Sequence, residues 1–204
     1  MSPPRRRVTG EALRYEILVF AEGKVTEEGY LRHHHSRNRS TVNVEIHEFR
    51  GNPLSLVRRA MEAKKKEARD EKRGRGRARD EVWCVFDVDK HPSLKEAVFL
   101  AREHGIHLAI SNPCIELWFL IHFDDQTAFI ERHDAQRSAS RHTRCEKSLS
   151  REALVALERN YEIAKQRARR LARKHKGDGT QFPDDNPSSG VWQVVDSIRR
   201  SSRS

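Results

Sequence analysis

The chain has 204 residues, 36% hydrophobic and 34% charged, with 40 Lys and Arg against 30 Asp and Glu for a formal net charge of +10. That length suits one domain, or one domain plus a helical extension, and buries a sizeable core without staples. A basic excess of this size points to polyanionic partners, nucleic acid first and anionic membrane second. No apolar run is long enough to span a bilayer, and no apolar stretch follows the basic start Met1–Arg7 as in a signal peptide, so the expected compartment is the cytoplasm and no membrane partner is expected. Cys84, Cys114 and Cys145 are odd in number, far apart and free of any CxxC pair, which argues against a disulfide framework and a zinc ribbon.

In chain order, Tyr15–Ala21 (YEILVFA) reads as a buried strand closed by Glu22-Gly23. Val25 to about Arg37 reads as a helix, with Glu27 and Glu28 near its start where the helix dipole favours negative charge. Val42–Phe49 alternates and reads as a second strand. Asn52 is placed to cap a helix with Pro53 at its first position, and that helix runs through Leu54, Val57 and Met61 into a charged tract ending near Arg79. Val82–Phe86 (VWCVF) is the third strand, apolar on both faces, with Cys84 as a small core residue. Pro92–His104 reads as a helix closed by Gly105, and Ile106–Ile110 as a fourth strand. Asn112-Pro113 repeats the cap-and-proline pattern before an apolar helix, Cys114–His122.

Beyond Phe123 the pattern changes. Asp124–Ser148 is polar and poorly periodic, Leu149–His175 is one long helical candidate, and Gly177–Ser189 is a loop. Asn186-Pro187 makes a third cap-and-proline start, with Val191, Val194, Val195 and Ile198 forming the apolar face of a last helix. Strands alternating with helices imply a mostly parallel, four-stranded α/β sheet flanked by helices over residues 12–123, with residues 124–204 as a C-terminal helical extension packed on it.

In such sheets chemistry collects just beyond the carboxyl ends of the strands. Glu22 stands there after the first strand, and Asp87 and Asp89 after the third. Two positions apart on extended chain, Asp87 and Asp89 point to one side. Glu22 meets them if its strand is their neighbour. Carboxylate oxygens suit hard cations such as Mg²⁺, which would activate water and stabilise a leaving oxygen on phosphorus. The competing interpretation is plain solvated loop acids or helix caps. Gly23 permits a tight turn or the close approach of a ligand.

Glu116 interrupts the apolar residues Cys114, Ile115, Leu117, Trp118 and Phe119. A carboxylate there needs a partner or a purpose: a fourth acid near the metal, a general base, or a buried ion pair. Lys24 would meet a phosphate oxygen, and His91 would act as general acid or base near neutral pH. Asn112 is a helix cap whose amide also reaches substrate. His33-His34-His35 point in different directions from a helix and read as a polar helix end, not a shared metal tract.

Arg58–Arg79 carries eleven Lys and Arg against four acids, and Arg151–Lys176 carries nine against three. The glycines around Arg73, Arg75 and Arg77 break the helix and leave a flexible basic loop suited to phosphate-backbone contact, salt-sensitive and blind to sequence. No aromatic residue interleaves with it, so base stacking is not expected there. No GxxxxGK[ST] loop occurs, which argues against an ATPase of that type.

The segments FAEGKVTEEGY, FDVDKH, SNPCIELWFLIHF and NPSSGVWQVV, in that order from about Tyr15 to Ile198, resemble the RloB-like family of small bacterial proteins associated with restriction and phage-defence loci. That family is similar in turn to the Toprim fold of topoisomerases, primases and some nucleases. The resemblance implies that Glu22, Asp87 and Asp89 hold Mg²⁺ or Mn²⁺, with Glu27 as a weaker candidate ligand, and that the activity is phosphodiester chemistry on DNA or RNA. The leading expectation is therefore a Toprim-like, metal-dependent nuclease using Glu22, Asp87, Asp89, Glu116 and His91. The alternative is a non-catalytic subunit of a defence complex that binds nucleic acid or a partner protein. A nucleotidyl transferase or primase-like enzyme would use the same acids. Oligomeric state is not legible.

Overall fold

The computed structural model describes residues 14–23, 25–88, 93–144 and 148–200. Their elements are β1 (Tyr15–Ala21), α1 (Thr26–Ser36), β2 (Val42–Glu48), α2 (Pro53–Lys72), β3 (Glu81–Asp87), α3 (Leu94–Glu103), β4 (His107–Asn112), α4 (Ile115–Leu120), α5 (Arg132–Thr143), α6 (Arg151–Arg159), α7 (Tyr161–Gly177), β5 (Ser188–Ser189) and α8 (Val191–Arg200).

One sheet runs in the order β2-β1-β3-β4-β5. The first four strands are parallel, and β5 is a short antiparallel addition pairing Ser111 with Ser189 and Asn112 with Ser188. The sheet thus has five strands where the sequence predicts four. Two serines carry no hydrophobic period, so nothing local marks them as a strand.

Strand periodicity sorts the core into two layers. Ile17, Val19, Ala21, Trp83 and Val85 face one side, covered by α1, α4, α5, α7 and α8. Leu18, Phe20, Val82, Cys84 and Phe86 face the other, covered by α2 and α3. This two-sided burial explains why β1 and β3 read as continuous apolar runs. Leu157, Tyr161, Ala164 and Ala168, together with the apolar face of α8, enter the first layer, so residues beyond 123 share a core with those before it.

The cap-and-proline pattern holds once in three. Asn52 accepts a hydrogen bond from Ser55 N at 2.9 Å and starts α2 with Pro53 at its head, a cap worth about 1 kcal/mol. Asn112 instead ends β4, where sheet pairing fixes its backbone, and α4 begins three residues later behind Cys114. Asn186 is likewise no cap: its side chain bonds both the N–H and the carbonyl of Ile130, and α8 starts only at Val191. The polar, poorly periodic stretch holds α5, and the single long helix expected over Leu149–His175 is two, α6 and α7, broken at Asn160.

Candidate active site

β1 and β3 are hydrogen-bonded neighbours, with Ala21 opposite Val85, and Glu22 N–H donates to the Val85 carbonyl at 3.0 Å. Glu22 and Asp87 therefore emerge side by side from adjacent strand ends, the neighbourhood that a shared site requires. α1 leaves β1 towards β2 while α3 leaves β3 towards β4, so this is the switch point where open α/β sheets form a crevice. Asp87 follows the side-chain alternation of Trp83 and Val85 and thus belongs to the α1/α4 layer.

Two helix starts close in on that layer. Glu27 lies in the first turn of α1 and Glu116 in the first turn of α4. The two are close enough to Asp87 to act on it electrostatically, as is Glu22. Burial raises the Asp87 carboxyl well above its ordinary range; the charges of Glu27, Glu116 and Glu22 push the same way and the Arg132 guanidinium opposes them. Burial also raises Glu27, against a bond from its own backbone N–H, with Glu116 and Glu22 adding repulsion. Nearby Cys114 is pushed up by burial and by the charges of Glu116 and Asp87, so it is a neutral thiol.

Gly23 explains how Glu27 reaches this place. A Cβ on Gly23 would overlap the Glu27 carboxylate. The glycine is needed for that close approach and not for a left-handed turn, since its φ lies outside the left-handed range.

Arg132, the first residue of α5, is a site residue that sequence reasoning misses. Its Nη1 donates to Asp87 Oδ2 at 3.3 Å and its Nη2 to the Pro113 carbonyl at 3.2 Å. One side chain thus ties the end of β3 to the turn before α4. Lying 45 positions from Asp87 in a polar stretch, it carries no local signal.

Of the other expected residues, Asp89, His91 and Lys24, like Cys145, lie outside the described residues. The Asn112 amide is committed to protein partners, donating to the Pro183 carbonyl at 2.8 Å and to Asp185 Oδ1 at 3.1 Å. The histidine tract separates as helical spacing demands. His33 pairs with Glu158, His34 is buried, and His35 meets the Val42 carbonyl.

The acids present only oxygen donors at a place short of positive charge, with Arg132, among the described residues, as the one cation that acts on both Asp87 and Glu27. That donor set and that charge suit a hard divalent cation. Among the described residues, no three His, Cys, Asp or Glu side chains are gathered into a formed metal cage.

The basic loop is elsewhere. Arg73, Arg75 and Arg77 are exposed and precede β3, and Arg77 pairs with Asp80 and reaches the Arg14 carbonyl before β1. They sit at the amino edge of the parallel strands, whereas Asp87 closes the seven residues of β3 at the other edge, about 20 Å away at strand rise. A second basic surface, on α7, groups Arg167, Arg169, Arg170 and Arg173 around a cavity of about 460 Å³. It adjoins the end of α4, where Arg167 bonds the Ile121 carbonyl and Arg170 pairs with Asp125.

The fold and site define a mostly parallel α/β protein with several acidic residues drawn together near the switch point of its sheet. Among its described residues no helix is long and apolar enough to cross a membrane. The chain belongs to the RloB-like protein family, whose profile matches residues 17–198. No curated protein and no solved structure gave a match.

Proposed function

We propose that this RloB-like protein is a Toprim-type, Mg²⁺- or Mn²⁺-dependent nuclease acting in phage defence, and that its catalytic centre is the acidic crevice between β1 and β3. The observation that carries this is the convergence of Glu22, Glu27, Asp87 and Glu116 at adjacent strand and helix ends. Four carboxylates with one arginine among them repel one another unless protonated or bridged by a cation. Glu22 and Asp87, with Asp89, would hold the ion, and Glu27 would supplement them. The bound cation would supply charge neutralisation and an activated water. Glu116, at the rim of the cluster, accepts the proton as water adds to phosphorus, and His91 returns one to the departing oxygen. Arg132 is a positioning residue that holds the Asp87 carboxylate through one arm and the α4 turn through the other. The arginines of α7 and of the Arg73–Arg77 loop would bind phosphates away from the reacting one.

The test is incubation of single- and double-stranded DNA and RNA with the purified protein in Mg²⁺, Mn²⁺ or EDTA, beside Asp87→Asn. Metal-dependent cleavage that disappears in the variant is the expected result. The Arg132–Asp87 pair favours a second reading, a nucleic-acid- or partner-binding subunit of a defence complex, because an internal cation already serves Asp87 there. Salt-sensitive binding without cleavage, equal in both proteins, would establish that reading instead.

A further inference from the structure

A cavity of about 420 Å³ opens directly beside the acidic cluster, between the start of α1, α4 and α5. This is within the size range of small-ligand sites, about 300–1,000 Å³. Glu116 belongs both to the cluster and to the cavity's lining, and Thr26 stands with it at that end. Whatever occupies the cavity is therefore one side chain away from a group bound at the acids.

The lining decides the chemistry of the occupant. Phe119 and Leu149 supply apolar walls, and Ala139 keeps one side small. Thr143 and Ser140 spend their hydroxyl protons on the carbonyls of Ala139 and Arg137. Gln136 lines the same space, and its amide makes no hydrogen bond with another described residue. Among the described residues no lysine lines the cavity, and the only arginine, Arg137, is paired with Asp134. Glu116 adds an acidic side chain to the lining. This is a poor place for a phosphate. It suits a flat, neutral group that packs on apolar side chains and offers hydrogen-bonding edges to an amide, as an unpaired nucleobase does.

We propose that this cavity holds the nucleobase of the nucleotide whose phosphate lies at the acidic cluster, so that the substrate is unpaired there, either single-stranded or with that nucleotide turned out of a duplex. This rests on the reading of the acids as a phosphodiester site. A base stacked inside a duplex cannot enter a cavity between helices without leaving its partner. Gln136 is the specificity residue, because its carbonyl oxygen and NH₂ read complementary edges.

The experiment uses the full chain and the four ribonucleosides, which carry no phosphate, with binding followed by saturation-transfer NMR in EDTA. One variant, Ser140→Trp, fills the cavity from α5; the other, Gln136→Ala, removes the amide from a half-buried helix position. Both are accepted only with an unchanged circular dichroism spectrum. Wild type is expected to bind at least one nucleoside. Ser140→Trp is expected to lose at least tenfold in affinity, and Gln136→Ala to lose severalfold and flatten the preference among bases. Equal nucleoside binding by wild type and both variants, or no binding by any of them, overturns the proposal. The phosphodiester reading fails separately: nucleoside binding that the variants abolish, in a protein that cuts no polynucleotide, leaves the base pocket standing and removes the nuclease. Conversely, a single-stranded substrate cut equally well at an abasic position and at a normal one keeps the nuclease and removes the pocket.

Discussion

His122 gives a quantitative test of the packing around the site. It is 1% exposed, and its Nδ1 donates to the Trp118 carbonyl at 2.7 Å. Its other nitrogen, Nε2, is buried without a hydrogen-bond partner among the described residues. Burial lowers its pKa from 6.5 to about 3, with the Trp118 bond opposing and Arg167 adding to the decrease. A histidine whose folded pKa lies below its unfolded value binds the proton more tightly in the unfolded chain. Stability from this group is therefore complete above about pH 6.5 and is lost as pH falls towards about 3. At pH 5 the loss is about 1.4 kcal/mol for each of the roughly 1.5 units below 6.5, or about 2 kcal/mol. Buried His34 is lowered to about 3 as well, first by burial and then by Arg199, His33, His122 and Arg37, and contributes a similar loss. Asp87 and Glu27, raised by burial, act with the opposite sign, so the informative quantity is a difference between proteins. The variant His122→Asn keeps a donor for the Trp118 carbonyl and cannot titrate. Urea denaturation at pH 8 and pH 5 is expected to show that wild type loses about 2 kcal/mol more than His122→Asn between the two. An equal loss in both proteins would refute the claim that His122 is buried, neutral and unable to share its proton.

Other consequences are open to equally direct measurement. Gly23→Ala is expected to melt within about 1 kcal/mol of wild type, since the lost unfolded-state entropy of glycine offsets the displaced Glu27 contact, while cleavage falls because Glu27 is pushed away. A large loss of stability, or undiminished cleavage, would remove Glu27 from the site. Saturating Mg²⁺, at about 100 times its dissociation constant, is expected to stabilise wild type by about 2.7 kcal/mol and Asp87→Asn by much less, as read by thermal melting with and without EDTA. An equal shift in both proteins would place the cation elsewhere. Arg73→Ser/Arg75→Ser is expected to lower the salt dependence of polynucleotide binding by up to about one log-log unit per lost phosphate contact, without changing the rate of the bound complex. A change in that rate would contradict their place at the far edge of the sheet.

Local chemistry alone settled a good deal of this protein. The apolar runs of β1 and β3, the alternation of β2 and the Asn52-Pro53 start of α2 are each decided by a few adjacent residues, because strand pleat and helix capping are short-range physics. Glu22 and Asp87 were legible for the same reason, since both come directly after a buried strand. The basic character of the Arg73–Arg77 loop was legible too, whereas its place at the edge of the sheet opposite Asp87 came with the structure, where Arg77 reaches the Arg14 carbonyl before β1. Only tertiary structure decided the rest. Asn112-Pro113 and Asn186-Pro187 have the letters of a helix start, but pairing with Ser188 and bonding to Ile130 use those asparagines differently. Two serines became a strand because β4 offered them an edge. The adjacency of β1 and β3, the arrival of Glu27 and Glu116 from two helices, and Arg132 on Asp87 are products of chain crossing. The free energies that hold them arise between residues far apart in the chain, such as Ala21 with Val85 and Arg132 with Asp87, which no local window of sequence contains.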